Sequence, residues 1–246
     1  MRKAETGRVI DSTATPDRNA KRWFLVVPAM CLPLAASFFY FVLFPGTILG
    51  NSFYSGIKVF LLIWPFLAVC LWLKEPLIER GREKRHLPAA VAGFAFGAVV
   101  FALLVWLVKE SPFAYLITEN SARISERIHG LGVAEHYLWF ALFISFAHAA
   151  LEEFFWRWFV FGQLRRLISV PWACFWAAVG FAAHHIVILT QFFPPAWAIA
   201  LGVCVGIGGA VWSLIYHRYG SLLGAWISHM IIDLGLMWVG WIALNA

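Results

Sequence analysis

The stretch HAALEEFFWRWF, residues 148–159, sets His148, Glu152, Glu153 and Arg157 among Phe and Trp. His184 and His185 lie in a second apolar run, and His229 and Asp233 in a third. Carboxylates beside imidazoles are suited to taking and giving protons, as general bases or as a relay, and the same groups can ligate a metal. Spacing sorts them. Glu153 and Arg157 are four residues apart, so on a helix they share a face and can pair. Glu152 is turned about 100° from Glu153 and therefore stands away from the arginine. It follows His148 by one turn. A carboxylate placed this way, facing a water-filled pocket without a fixed cation, fits a general base. His229 and Asp233 are again four apart and face the same way. His184 and His185 are adjacent and must face differently, one toward a cavity and the other into packing.

These groups need elements to hold them, and composition says which. Of 246 residues, 62% are hydrophobic and 13% charged, and the mean hydropathy is +0.77. Such a chain cannot cover itself with a polar surface. Apolar runs of about 20 residues, the length that crosses a hydrocarbon core, recur along it. The fold class expected is all-α, a polytopic transmembrane bundle of about seven spans, with an eighth or re-entrant segment allowed. The spans are read near 23–44, 53–73, 87–108, 137–161, 171–190, 196–216 and 222–244. The ionisable groups fall in the fourth, fifth and seventh, so the C-terminal helices are expected to form an active-site cavity. An ionisable side chain in mid-span costs on the order of 3 kcal/mol, which makes such residues candidates for function before structure.

The net charge of +6 does not form a face or stripe, which argues against nucleic acid as a partner. Lys and Arg cluster between spans instead. Arg2, Lys3, Arg8, Arg18, Lys21, Arg22, Lys74, Arg80, Arg82, Lys84, Arg85, Arg165, Arg166 and Arg218 fall on one side. Lys58, Lys109, Arg123 and Arg127 fall on the other. The positive-inside rule then puts the N-terminus in the cytoplasm. The organisation expected is a polar cytoplasmic tail over 1–22, three spans and an outer segment over 23–136, and a core over 137–246, all one membrane domain. A bacterial inner membrane is the expected location. Within 109–136, Ile117, Ile124, Ile128 and Leu131 recur at helical spacing opposite Glu119, Arg123, Glu126 and Arg127, the pattern of a short interfacial helix. Gly93-x-x-x-Gly97 and Gly202-x-x-x-Gly206 read as close helix packing. At 1.5 Å per residue His229 lies about 10 Å, Asp233 about 16 Å, Glu152 about 13–20 Å and His185 about 21 Å from the cytoplasmic end of their spans. A cavity near the midplane, open to the cytoplasm, follows.

Three segments carry a resemblance. Glu152-Glu153-Phe154-Phe155-Trp156-Arg157 reads E-E-x-x-x-R, Phe181 to His185 reads F-x-x-x-H, and His229 to Asp233 reads H-x-x-x-[N/D], in that order. Over roughly residues 137–240 the chain resembles the CPBP/ABI family of intramembrane glutamic proteases, the group of the Rce1-like CAAX prenyl endopeptidases. The resemblance implies an endopeptidase acting near the C-terminus or membrane-embedded part of a membrane-associated substrate. It implies Glu152 as the base that activates water, helped by His185, which the motif selects over His184 through Phe181. It implies His229 and Asp233 at the oxyanion, and Glu153 with Arg157 as ordering groups. Asp233 stands where the prenyl proteases carry Asn, so it either donates as a neutral acid or orients His229. His148 lies outside the motifs. The partners implied are the bilayer and a lipidated or C-terminally tagged protein or peptide.

Two chemistries stay open. Zinc on Glu152, His185 and His229 is one; the absence of H-E-x-x-H favours the other, with no cofactor. Two other functions are weighed as well. A proton-coupled transporter should show a repeat or broken helices, and neither is visible. A non-catalytic scaffold or immunity factor could lose the glutamates, and this chain keeps both.

Overall fold

The computed structural model describes residues 16–77, 84–111 and 113–245. Arg2, Lys3, Arg8, Arg80 and Arg82 lie outside the described residues. The architecture is all-α, with no strand among the described residues. Among the described residues seven helices are long and apolar enough to span: α1 (Pro16–Leu43), α2 (Ile48–Trp72), α3 (His86–Glu110), α5 (Ala134–Leu167), α6 (Val170–Leu189), α7 (Pro195–Tyr219) and α8 (Leu223–Leu244). An eighth, α4 (Ala114–Gly130), is amphipathic. Large apolar side chains such as Phe24, Leu71, Phe94, Trp139 and Ile207 remain exposed around the periphery, as befits a protein solvated by lipid.

Three boundaries depart from the sequence reading by five residues or more: α5 runs to Leu167 rather than ending near 161, and two others bear on the packing. First, α1 begins at Pro16 rather than near Trp23. Arg22 is fully buried, paired with Glu75 beyond the end of α2 and hydrogen-bonded to Gln163 of α5 at 3.3 Å. Arg18 and Arg166 reach the same carboxylate at 3.0 and 3.2 Å. Cations that look like a solvated tail thus tie three helix ends together. Second, α2 starts at Ile48, not near Phe53. The Thr47 hydroxyl accepts from the Gly50 N–H at 3.0 Å and caps the helix, a contact worth about 1 kcal/mol. The five extra residues place Lys58, counted among the connections in the charge tally although it lies within 53–73, deeper in the span.

Helix α5 is the centre of the bundle and touches α1, α2, α6, α7 and α8. It is not uniform. Wide π-helical turns occupy Phe143–His148 and Phe154–Phe161, with a single α-helical piece, Ala149–Glu153, between them. Wide turns of this kind recur where a helix re-aims side chains at a site. The glycine pairs do what their spacing suggests. Gly93 meets the Gly224 backbone and Gly97 meets Ser228, which closes α3 on α8; Gly202 and Gly206 meet Ile186 and Ala182, which closes α7 on α6. A side chain at Gly93 would collide with backbone, so only glycine allows that approach.

Helix α4 packs Leu116, Ile117, Asn120, Ile124 and Ile128 inward, mostly against α8. Leu131 is exposed, just past the helix end. The charged side is not simply solvated. Arg123 donates to the carbonyls of Thr190 and Gln191 at 2.6 and 3.0 Å, and Arg127 pairs with the Gln191 side chain, so α4 caps the C-terminal end of α6.

Candidate active site

The residues singled out by sequence converge. Glu152 and Glu153 lie on the α-helical piece of α5, 3% and 1% exposed, and their carboxylates are used differently. Glu153 Oε1 lies 2.9 Å from Arg157 Nη1 and accepts from His229 Nδ1 at 2.8 Å. Arg157 is itself buried, with its guanidinium over the rings of Phe181 and Trp212 at 4.4 and 4.8 Å. Glu152 has no arginine partner among the described residues. Its Oε1 is 3.5 Å from His184 Nε2 and 3.6 Å from His148 Nε2, and its Oε2 is 3.9 Å from His229 Nε2. Oε2 is buried and has no hydrogen-bond partner among the described residues.

The histidines arrive from α5, α6 and α8, each held by its neighbours. His184 Nδ1 faces the Gly180 carbonyl at 3.3 Å, and its ring stacks on Trp156, 5.6 Å between centroids. His185 Nδ1 lies 2.8 Å from the Phe181 carbonyl; a carbonyl only accepts, so the proton is on Nδ1 and Nε2 is the free nitrogen. Both α6 histidines therefore reach the Glu152 region, and neither is lost to packing. His229 stacks on Trp212 at 4.3 Å, and the Trp212 N–H donates to Ser228 Oγ at 2.9 Å. Asp233 Oδ2 lies 3.6 Å from His229 Nε2. With Nδ1 committed to Glu153, His229 turns Nε2 toward the space between Glu152 and Asp233. Phe181 is buried under His185, Arg157 and His229, a packing anvil for the whole set.

A possible ligand group has a different membership from the one expected. Ligand atoms of Glu152, His184 and His185 lie within 4.8 Å of one another, and His229 is not in that group. One carboxylate oxygen and two imidazole nitrogens form a donor set that zinc accepts while keeping a fourth position open.

Two cavities bear on access. One of about 480 Å³ opens at the basic end of the bundle. Lys84, His86, Arg165 and Arg166 line it with Trp158 and Trp226, and it reaches Glu153. Glu152 does not line it. Glu152 and His184 instead border a void of about 10 Å³, shared with Lys58, Tyr54 and Ser37 of α2 and α1, about the volume needed for one water. One midplane cavity holding the whole set was the expectation; the two glutamates face two different spaces.

Several residues here carry no motif. Trp156, Trp212 and Ser228 orient imidazoles, and Gly209 leaves room for Arg157 and Phe181, whose atoms would lie 3.0 Å from an added Cβ. Lys58 Nζ lies 2.6 Å from His148 Nε2. Its signal was present in sequence, as the single charge in FYSGIKVFLLIW.

Fold and site together define a polytopic helical membrane protein with carboxylates and imidazoles gathered at its centre. Residues 134–235 match the family model described as Type II CAAX prenyl endopeptidase Rce1-like, so this segment of the chain is similar to that family. That family is one of proteases. No curated protein and no solved structure matches the chain. The matched segment runs from the start of α5 into α8 and contains every motif residue from Glu152 to Asp233; α1 to α4 lie outside it.

Proposed function

We propose that the protein is an intramembrane endopeptidase in which Glu152 activates water against a peptide bond near the C-terminus, or in the membrane-embedded part, of a membrane-associated substrate. One observation carries this reading. Of two adjacent buried glutamates, Glu153 is tied to Arg157 and His229, while Glu152 meets only imidazoles and borders a water-sized void. A carboxylate so placed takes the proton as water oxygen attacks the carbonyl carbon. It returns that proton to the amide nitrogen as the C–N bond breaks. His184 and His185 flank the water, and His229 with Asp233 faces the developing oxyanion. Glu153 and Arg157 hold His229 and α5 in register and take no part in proton transfer.

Metal-independent chemistry is the version proposed, with no cofactor. If zinc were bound, Glu152, His184 and His185 would hold it and it would polarise the water. The family description points to a prenylated peptide as substrate class. The cavity at the basic end, part aromatic and part cationic, suits a chain that ends in a carboxylate. By the positive-inside rule that end, with the N-terminus, faces the cytoplasm of a bacterial plasma membrane.

The test uses purified protein in lipid nanodiscs with an internally quenched farnesylated CAAX peptide and a non-prenylated tagged peptide. Cleavage by wild type and loss in Glu152→Gln supports the reading. Equal rates in both proteins overturn it, and cleavage of the tagged peptide alone moves the substrate class.

A further inference from the structure

Lys58 is an unusual residue to find near the middle of α2 (Ile48–Trp72). A lysine in mid-span costs on the order of 3 kcal/mol and usually snorkels toward the interface. This one points inward. Its Nζ lies 2.6 Å from His148 Nε2 and 5.2 Å from the Tyr54 ring centroid, and it lines the small void beside Glu152 and His184. An ammonium has donors and no acceptor. His148 must therefore accept through Nε2 and carry its proton on Nδ1. It follows that His148 cannot donate to Glu152 from Nε2, although that atom is 3.6 Å from Glu152 Oε1. The cation of this corner is Lys58, one imidazole away from the carboxylate.

We infer that Lys58 is a positioning residue for Glu152, acting through His148. The lysine fixes the tautomer and tilt of the His148 ring. The ring in turn stands against Glu152 Oε1, the oxygen that His184 also faces, while His229 faces Oε2. This gives His148, which no motif contains, a role, and it makes α2 part of a site whose other members all come from the family-matched segment. The groups facing the corner are Lys58 and Tyr54 from α2, Ser37 from α1, Glu152 from α5, and His184 and His185 from α6, with His229 and Asp233 beyond them on α8. None of the others can supply a fixed cation. The inference rests on the reading of Glu152 as the base, and its test separates the two.

The full chain is compared in nanodiscs as wild type, Lys58→Met, Lys58→Arg, His148→Ala and the Lys58→Met/His148→Ala double variant, with the farnesylated peptide as probe. Lys58→Met is expected to lower kcat by about 10- to 100-fold, as small misplacements of a catalytic group do, with KM nearly unchanged. Lys58→Arg should recover most of the loss, and the double variant should be no slower than either single one. Ring nitrogen NMR of the histidines supplies a second readout that needs no substrate. Lys58→Met should move the His148 Nε2 signal away from its hydrogen-bonded position. Wild-type kcat in Lys58→Met, additive losses in the double variant, or an unmoved His148 signal each overturn the inference. A wild type that cleaves neither the farnesylated nor the tagged peptide counts against Glu152 as base, and the His148 signal then decides the Lys58 contact by itself.

Discussion

His229 Nδ1 donates to Glu153 Oε1 at 2.8 Å, across α8 and α5. The same oxygen faces Arg157 at 2.9 Å. One carboxylate oxygen thus joins the third motif to the first, and the acid best paired with an arginine is the one least able to act as a base. Removing Arg157 or Glu153 leaves a buried charge uncompensated. Either Arg157→Ala or Glu153→Ala should cost about 3–5 kcal/mol, read as a lowered Tm in detergent. The double variant should lose less than the sum; additive losses would show that the pair is not coupled.

Glycine positions separate packing from space. Gly93→Ala drives a methyl into the Gly224 backbone, where nothing can rotate away. Overpacking of this kind costs about 1–3 kcal/mol, so Tm should fall. Gly56→Ala on α2 meets nothing within 4 Å and should be neutral or slightly stabilising through helix propensity. Equal effects at both sites would mean that α3 and α8 do not pack as described.

Topology can be read by thiol labelling after replacement of Cys31, Cys70, Cys174 and Cys204. Lys84→Cys lies at the basic end and Tyr115→Cys, 70% exposed on α4, at the other. An impermeant maleimide applied to intact cells should reach residue 115 and spare residue 84 until the membrane is opened. The reverse pattern would invert the bundle.

Metal dependence has a direct check. Cleavage of the farnesylated peptide is expected to survive a strong chelator. Loss that zinc restores would assign Glu152, His184 and His185 as ligands and make the metal, not the carboxylate, the activator of water.

The seven spans were legible because a hydrocarbon core imposes length and polarity on every helix that crosses it. The Glu153–Arg157 pair was legible because i, i+4 spacing almost dictates it. Less visible were features set by contacts between helices. Nothing in the run from Pro16 to Arg22 says that Arg22 will be buried against Glu75. Nor does the spacing of α6 say which histidine reaches Glu152, since both do. Lys58 was counted with the connection charges although the expected span already held it, and its place in the site depends on a contact with His148 that no local pattern shows. The π turns flanking Ala149–Glu153 follow no 3.6-residue pattern, so a periodicity argument could not find them. The stacks of Trp156 on His184 and Trp212 on His229 join residues far apart in the chain and leave no local trace.

The most direct measurement is the rate of farnesylated-peptide cleavage by Glu152→Gln, alongside its Tm. The substitution keeps shape and removes the base. A folded protein with Tm near wild type and a rate lower by about 10²- to 10⁴-fold is the expected result. A folded Glu152→Gln that cleaves at the wild-type rate would contradict the assignment of Glu152 as the base.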